Sequence, residues 1–83
     1  MYYVTMTDKF MSGWGLAQNK INKLILECET YQQAQIVADN AQNRSEMKNV
    51  NITTKKPYYP SKKYYAQTET IDTYSRWYEK GAF

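Results

Sequence analysis

One long stretch of this chain carries helical spacing, and the apolar residues on either side of it alternate. Thr30 followed by Gln33 makes a Thr-x-x-Gln capping box, which satisfies two backbone amides at a helix start. Tyr31, Ala34, Val37, Ala38 and Ala41 then trace one stripe, with alanines small enough to let the helix sit close against a sheet. At about 100° per residue, Ile36 falls outside that stripe, among Gln32, Asp39, Asn40 and Asn43. The helix is expected to fray out between Asn43 and Met47.

The flanking segments predict strands. Residues 2–7 place Tyr2, Val4 and Met6 on one face and Tyr3, Thr5 and Thr7 on the other. Residues 8–20 form a long connection containing Gly13, Gly15 and Asn19. In residues 21–28 Leu24, Leu26 and Cys28 make the apolar face, with Lys23, Ile25 and Glu27 opposite. Residues 48–55 alternate again, with Val50, Ile52 and Thr54 on one side. Pro57 and Pro60 bar a continuous ladder, so residues 56–61 read as a turn and residues 63–71 as a fourth strand. In residues 72–83 Tyr74, Trp77 and Tyr78 share one face of a short helical turn that Gly81 would end.

Strand, strand, helix, strand, strand predicts a single α+β domain over residues 1–83. The expected architecture is a four-stranded antiparallel sheet with one helix on one face, a short C-terminal helical turn, and the other sheet face in water. At 83 residues the chain is near the lower end of what folds without a staple.

Catalysis is the first function class to fall. The chain has no histidine and one cysteine, Cys28, which removes His-based acid–base chemistry, His-containing metal sites and an intrachain disulfide. Cys28 lies in line with Leu24 and Leu26 and reads as a small buried hydrophobe. The carboxylates stand singly, with no Mg²⁺ or Ca²⁺ loop among them, and Gly13-Trp14-Gly15 lacks the glycines of a phosphate loop. The expectation is a non-enzyme without a cofactor. The opening residues lack the basic-then-apolar pattern of a secretory signal, and no apolar run nears the ~18 residues of a membrane span. A lone cysteine suits a reducing compartment, so the cytosol is the expected location.

Charge and tyrosine are what remain. The net charge is +3, yet residues 48–65 hold Lys48, Lys55, Lys56, Lys62 and Lys63 with no acid, while the segments on either side are slightly acidic. Tyr58, Tyr59, Tyr64 and Tyr65 stand among these lysines. Lysine beside stackable aromatics is what a surface uses to dock on nucleic acid, on nucleotides, or on acidic and RNA-bearing assemblies. The same residues also have a plain structural use, since tyrosine favours strands and lysine protects sheet edges. The candidate contact residues are therefore Lys55, Lys56, Tyr58, Tyr59, Lys62, Lys63, Tyr64 and Tyr65. Trp14 joins them from the Phe10–Leu16 loop, which either folds over the core or stands out as a finger, and Ile36 joins them from the helix.

The run from Tyr3 to Gly15, the run from Ala38 to Lys48, and Lys56-Pro57-Tyr58-Tyr59 together resemble a small protein family of tailed bacteriophages. At the level of element order the chain is also similar to anti-CRISPR proteins that set a curved antiparallel sheet against one helix. Gln33 to Ala38 and Trp77 carry the likeness to an inhibitor of type I surveillance complexes. The resemblance implies a bacteriophage protein that works in the host cytoplasm by occupying the DNA-accepting surface of a Cas effector. Two other readings stay open: a phage accessory protein that binds nucleic acid directly, and a sponge for a nucleotide immune signal. A virion assembly role has no sequence feature in its favour. No membrane partner is expected, and the chain is expected to be a monomer or a homodimer.

Overall fold

The computed structural model describes residues 1–9 and 19–83. Its elements are β1 (Tyr2–Asp8), β2 (Ile21–Cys28), α1 (Tyr31–Gln42), β3 (Met47–Thr53), β4 (Tyr64–Glu69) and a 3₁₀ turn (Ser75–Tyr78). The helix starts as its cap foretells. The Gln33 amide donates to Thr30 Oγ1 at 3.1 Å, and the Gln33 side chain accepts from the Glu29 amide at 2.7 Å, one residue before the expected partner. The loop with Trp14, and all of residues 10–18, lie outside the described residues.

The sheet is four-stranded and open, in the order β3-β1-β2-β4. β1 is antiparallel to both β2 and β3, but β4 runs parallel to β2. The expectation of a purely antiparallel sheet is therefore corrected to a mixed one. Residues 56–61 are not a hairpin turn between neighbours, because β3 and β4 occupy opposite edges. Two proline-bearing readings, a turn and a crossover, share one local composition, and only long-range pairing separates them.

A β-bulge adjusts the third strand. Its register shifts between Thr5 and Thr7 of β1, and Asn49 adopts a φ of 56°, a left-handed conformation that asparagine tolerates. The extra residue lets both Met47 and Val50, three apart, reach the helix-side core, which strict alternation would forbid. That core joins Val4 and Met6 of β1, Leu24, Leu26 and Cys28 of β2, and Ala34, Val37, Ala38 and Ala41 of α1.

Trp77 and Tyr78 of the 3₁₀ turn complete it from the side. Asn40, only 1% exposed, donates from Nδ2 to the carbonyls of Trp77 at 2.9 Å and Glu79 at 2.8 Å. The wheel places Asn40 on the polar side of the helix; the structure buries it, because the chain after β4 packs along that flank. Trp77 also stacks edge-on with Phe83 at 5.2 Å, and the Arg44 guanidinium lies 5.2 Å from the Trp77 ring centre. Gly81 takes a φ of 70° after the 3₁₀ turn, as its position in the sequence suggests.

Two protonated groups meet at the top of this core. The Tyr78 hydroxyl donates to Glu27 O at 2.6 Å, and burial raises its pKa first, with the nearby Cys28 and Glu27 charges adding. Burial pushes the Cys28 thiol from 9.0 up to about 11, against an opposing hydrogen bond with Tyr78. Both are acids whose folded pKa exceeds the unfolded one. Their stabilisation is complete below the unfolded pKa and is lost as pH rises, because the unfolded chain gives up its protons first. Urea unfolding midpoints should therefore agree at about pH 7 and about pH 8 and fall steadily towards about pH 11. A midpoint unchanged through that alkaline range would contradict the burial of both groups.

Candidate partner-binding surface

Residues 54–63 leave β3 at one edge and must enter β4 at the other. They must also travel back from the level of Glu27 to that of Ile21. Three strand spacings of about 4.8 Å and six residues of about 3.3 Å make a diagonal of roughly 25 Å. Ten residues reach ~33 Å extended but only ~15 Å as a helix, so this connection has to be extended. Pro57 and Pro60 hold it so and withdraw two N–H groups from any ladder.

The hand of the fold selects the face. β2–α1–β3 and β3–β4 both join parallel strands, and they move across the sheet in opposite directions. Two right-handed crossovers of opposite direction lie on opposite faces, so the 54–63 strap belongs on the face away from the helix. The contacts agree. Lys23, on that face of β2, puts Nζ 5.4 Å from the Tyr59 ring centre and 5.9 Å from that of Tyr64, and donates to Thr7 Oγ1 at 2.6 Å. Ile25 and Thr5 on the same face are only 2% and 7% exposed. The expectation that this face stands in water is corrected: among the described residues, the 54–63 segment lies over it.

The strap is anchored at both ends. At its start Thr53 Oγ1 accepts from the Lys55 amide at 3.3 Å. At its end the Pro60 carbonyl accepts from the amides of Lys63 at 3.2 Å and Tyr64 at 3.0 Å, a tight turn that feeds β4. Between them Tyr59 packs on Tyr64 with ring centres 5.2 Å apart. Burial lowers the Lys23 pKa, and two ring faces with the Thr7 oxygen hold its ammonium group in place.

The candidate residues thus divide. Tyr59 and Tyr64 are half-buried and face inward to Lys23, so they hold the strap more than they present it. Tyr58 turns out, 85% exposed. Lys55 and Lys56 are exposed at one end of the strap and Lys62 and Lys63 at the other, roughly 20 Å apart by extended-chain rise. Lys63 sets its Nζ 5.7 Å from the Tyr64 ring centre. Tyr65 pairs with Asn22, whose side chain shares the face of Leu24, so Tyr65 falls on the helix side and outside this surface. Ile36 is half-buried on α1, in the opposite layer. Trp14 is outside the described residues. Lys23 is the anchor that sequence reading passes over, although one signal was present: a lone lysine between Ile21 and Ile25 on a strand face.

A concavity of about 540 Å³ opens at the end of the sheet beyond α1 and is lined by Asp8, Arg44, Glu46, Gln67, Tyr74 and Trp77 among others. Arg44 Nε bonds Glu46 Oε1 at 2.5 Å. The Glu46 carboxyl is lowered by its own backbone amide and by Arg44, while burial, then the Glu69 and Asp8 charges, raise Tyr74. Arg44 and Glu46 are thus paired with each other. Among the described residues no three His, Cys, Asp or Glu side chains gather to hold a metal, and no helix is long and apolar enough to cross a membrane.

Among the described residues, the geometry defines a small α+β protein with one α-helix, an open mixed sheet, and a cationic strap on the face away from the helix. Comparison with protein-family models, with curated proteins and with solved structures finds no match to this chain.

Proposed function

We propose that this chain is a non-enzymatic binding protein that inhibits by occupancy. In this reading it is a phage protein that acts in the host cytoplasm. It lays the strap against an anionic, nucleic-acid-accepting surface of a host defence complex, as anti-CRISPR proteins do on type I Cas effectors. The observation that carries the reading is Tyr58, a ring 85% exposed on a proline-stiffened segment, flanked by Lys55 and Lys56 on one side and Lys62 and Lys63 on the other. A stiff segment loses little conformational entropy on docking, and its four ammonium groups match a row of phosphates or carboxylates.

Direct binding of nucleic acid is the second reading, since a stackable ring between cations suits a single strand. The nucleotide sponge has less support: it needs two rings that part around a base, and Tyr59 and Tyr64 pack on each other. Pull-down of a crRNA-loaded type I effector tests the first reading. Charge reversal of Lys55, Lys56, Lys62 and Lys63 to Glu is expected to reduce capture at least ~100-fold. Failure of the unaltered protein to capture the effector, or equal capture by the reversed variant, would overturn it. Mobility shift separates the second. Four phosphate contacts would cost ~100-fold in affinity between about 50 and 200 mM salt, and no shift at low salt rules the reading out.

A further inference from the structure

We propose that two copies of this chain pair through β4, antiparallel about a two-fold axis at Ala66, to form one continuous eight-stranded sheet. β4 is an edge strand, and the ladder tells which of its backbone groups face out. The Ile21 amide donates to Lys63 O at 3.0 Å, and Ile21 pairs with Tyr64. In a parallel ladder this turns the backbone groups of Tyr65, Gln67 and Glu69 towards β2 and those of Tyr64, Ala66 and Thr68 away from it. The Tyr64 amide is already spent on Pro60 O. The outward set is the Tyr64 carbonyl and both groups of Ala66 and Thr68.

An antiparallel second copy centred on Ala66 meets this set. Each Ala66 amide reaches the other copy's Ala66 carbonyl, and each Thr68 amide reaches the other copy's Tyr64 carbonyl. In the same register Lys63, in the turn just before β4, comes level with Glu69 at the end of the other copy's β4, twice over, so that two opposite charges end close to each other across the seam. Neither Lys63 nor Glu69 makes an ion pair within the chain among the described residues. Ala66 and Thr68 are exposed and small, so the two backbones can approach on the side where the straps lie.

The other edge is defended. β3 carries the Asn49 bulge, which breaks its regular ladder, and the Asn51 side chain donates to Asn49 O at 3.1 Å beside it. β4 has no bulge, no proline and no lysine within Tyr64–Glu69. The pairing would set two straps side by side on one face, doubling the cationic surface, but it stands on the edge geometry alone and does not depend on the proposed function.

Sedimentation of the whole chain over a micromolar to millimolar series tests the proposal, with dimer expected as concentration rises. Ala66→Pro removes only an outward amide, so it should leave the fold intact and weaken dimerisation at least ~10-fold. Lys63→Glu and Glu69→Lys should each weaken it about tenfold, and the double variant K63E/E69K should restore it to within about threefold. If Ala66→Pro does not fold, the charge swap decides alone. A chain that stays monomeric throughout, a dimer indifferent to Ala66→Pro, or a double variant no better than the single ones overturns the pairing. So does capture of a different protein at this edge in place of a second copy.

Discussion

An Asn40→Asp substitution is expected to lower the thermal unfolding midpoint by ~10 °C or more, although it changes the side-chain volume hardly at all. Asn40 uses both hydrogens of its amide on the Trp77 and Glu79 carbonyls, and the residue is 1% exposed. The carboxylate has no hydrogen to donate, so two carbonyls lose their partner while a charge is placed against them. Unsatisfied buried groups cost about 1–3 kcal/mol each, and a domain this size loses roughly 4–8 °C per kcal/mol. The loss should be local in origin. Hydrogen exchange should accelerate first in residues 74–83, which Asn40 ties to the helix. Equal destabilisation of all regions, or a midpoint within two or three degrees of the parent (about the scatter of such measurements), would show that these bonds do not hold the tail.

The strap over the sheet makes a second expectation. Ile25→Ala should cost about 2–4 kcal/mol, the value for a buried isoleucine, where a residue on a wetted sheet face would cost well under that. Ile36→Ala supplies the comparison within the same protein. Ile36 is half-buried on the helix, and its truncation should cost less than about 1 kcal/mol. The contrast is sharp because sequence hydropathy treats the two residues alike, while the chain's path gives one a cover and the other none of comparable depth. Urea unfolding of both variants, read with a common m-value, gives the difference directly. Equal costs would mean that the strap does not seal the face it crosses.

The helix was legible because its signals are local. The Thr30 cap, the alanine stripe and the position of Gly81 each follow from groups a few residues apart, and the structure bears them out. The four strands were legible for the same reason, with bounds off by a residue or two. The bulge at Asn49 was not, because alternation from Val50 onward hides the extra residue that brings Met47 to the same side. Asn40 was misplaced because a helical wheel knows one helix, whereas the flank it assigned to water is covered by residues some forty positions later.

The candidate surface shows the same boundary. Lysine clustering and exposed tyrosine could be read from the chain, but which ring faces out could not. Tyr58 and Tyr59 are neighbours of one kind, and only the presence of Lys23 beneath the strap turns one inward and leaves the other free. By itself the sequence determined the elements and their apolar faces, since these depend on periods of two and about 3.6 residues and on caps within one turn. The tertiary structure alone decided which edge β4 joins, that it joins in parallel, and that the proline segment crosses the far face. Those choices rest on pairings between distant strands and on the hand of a crossover, neither of which leaves a trace in local periodicity.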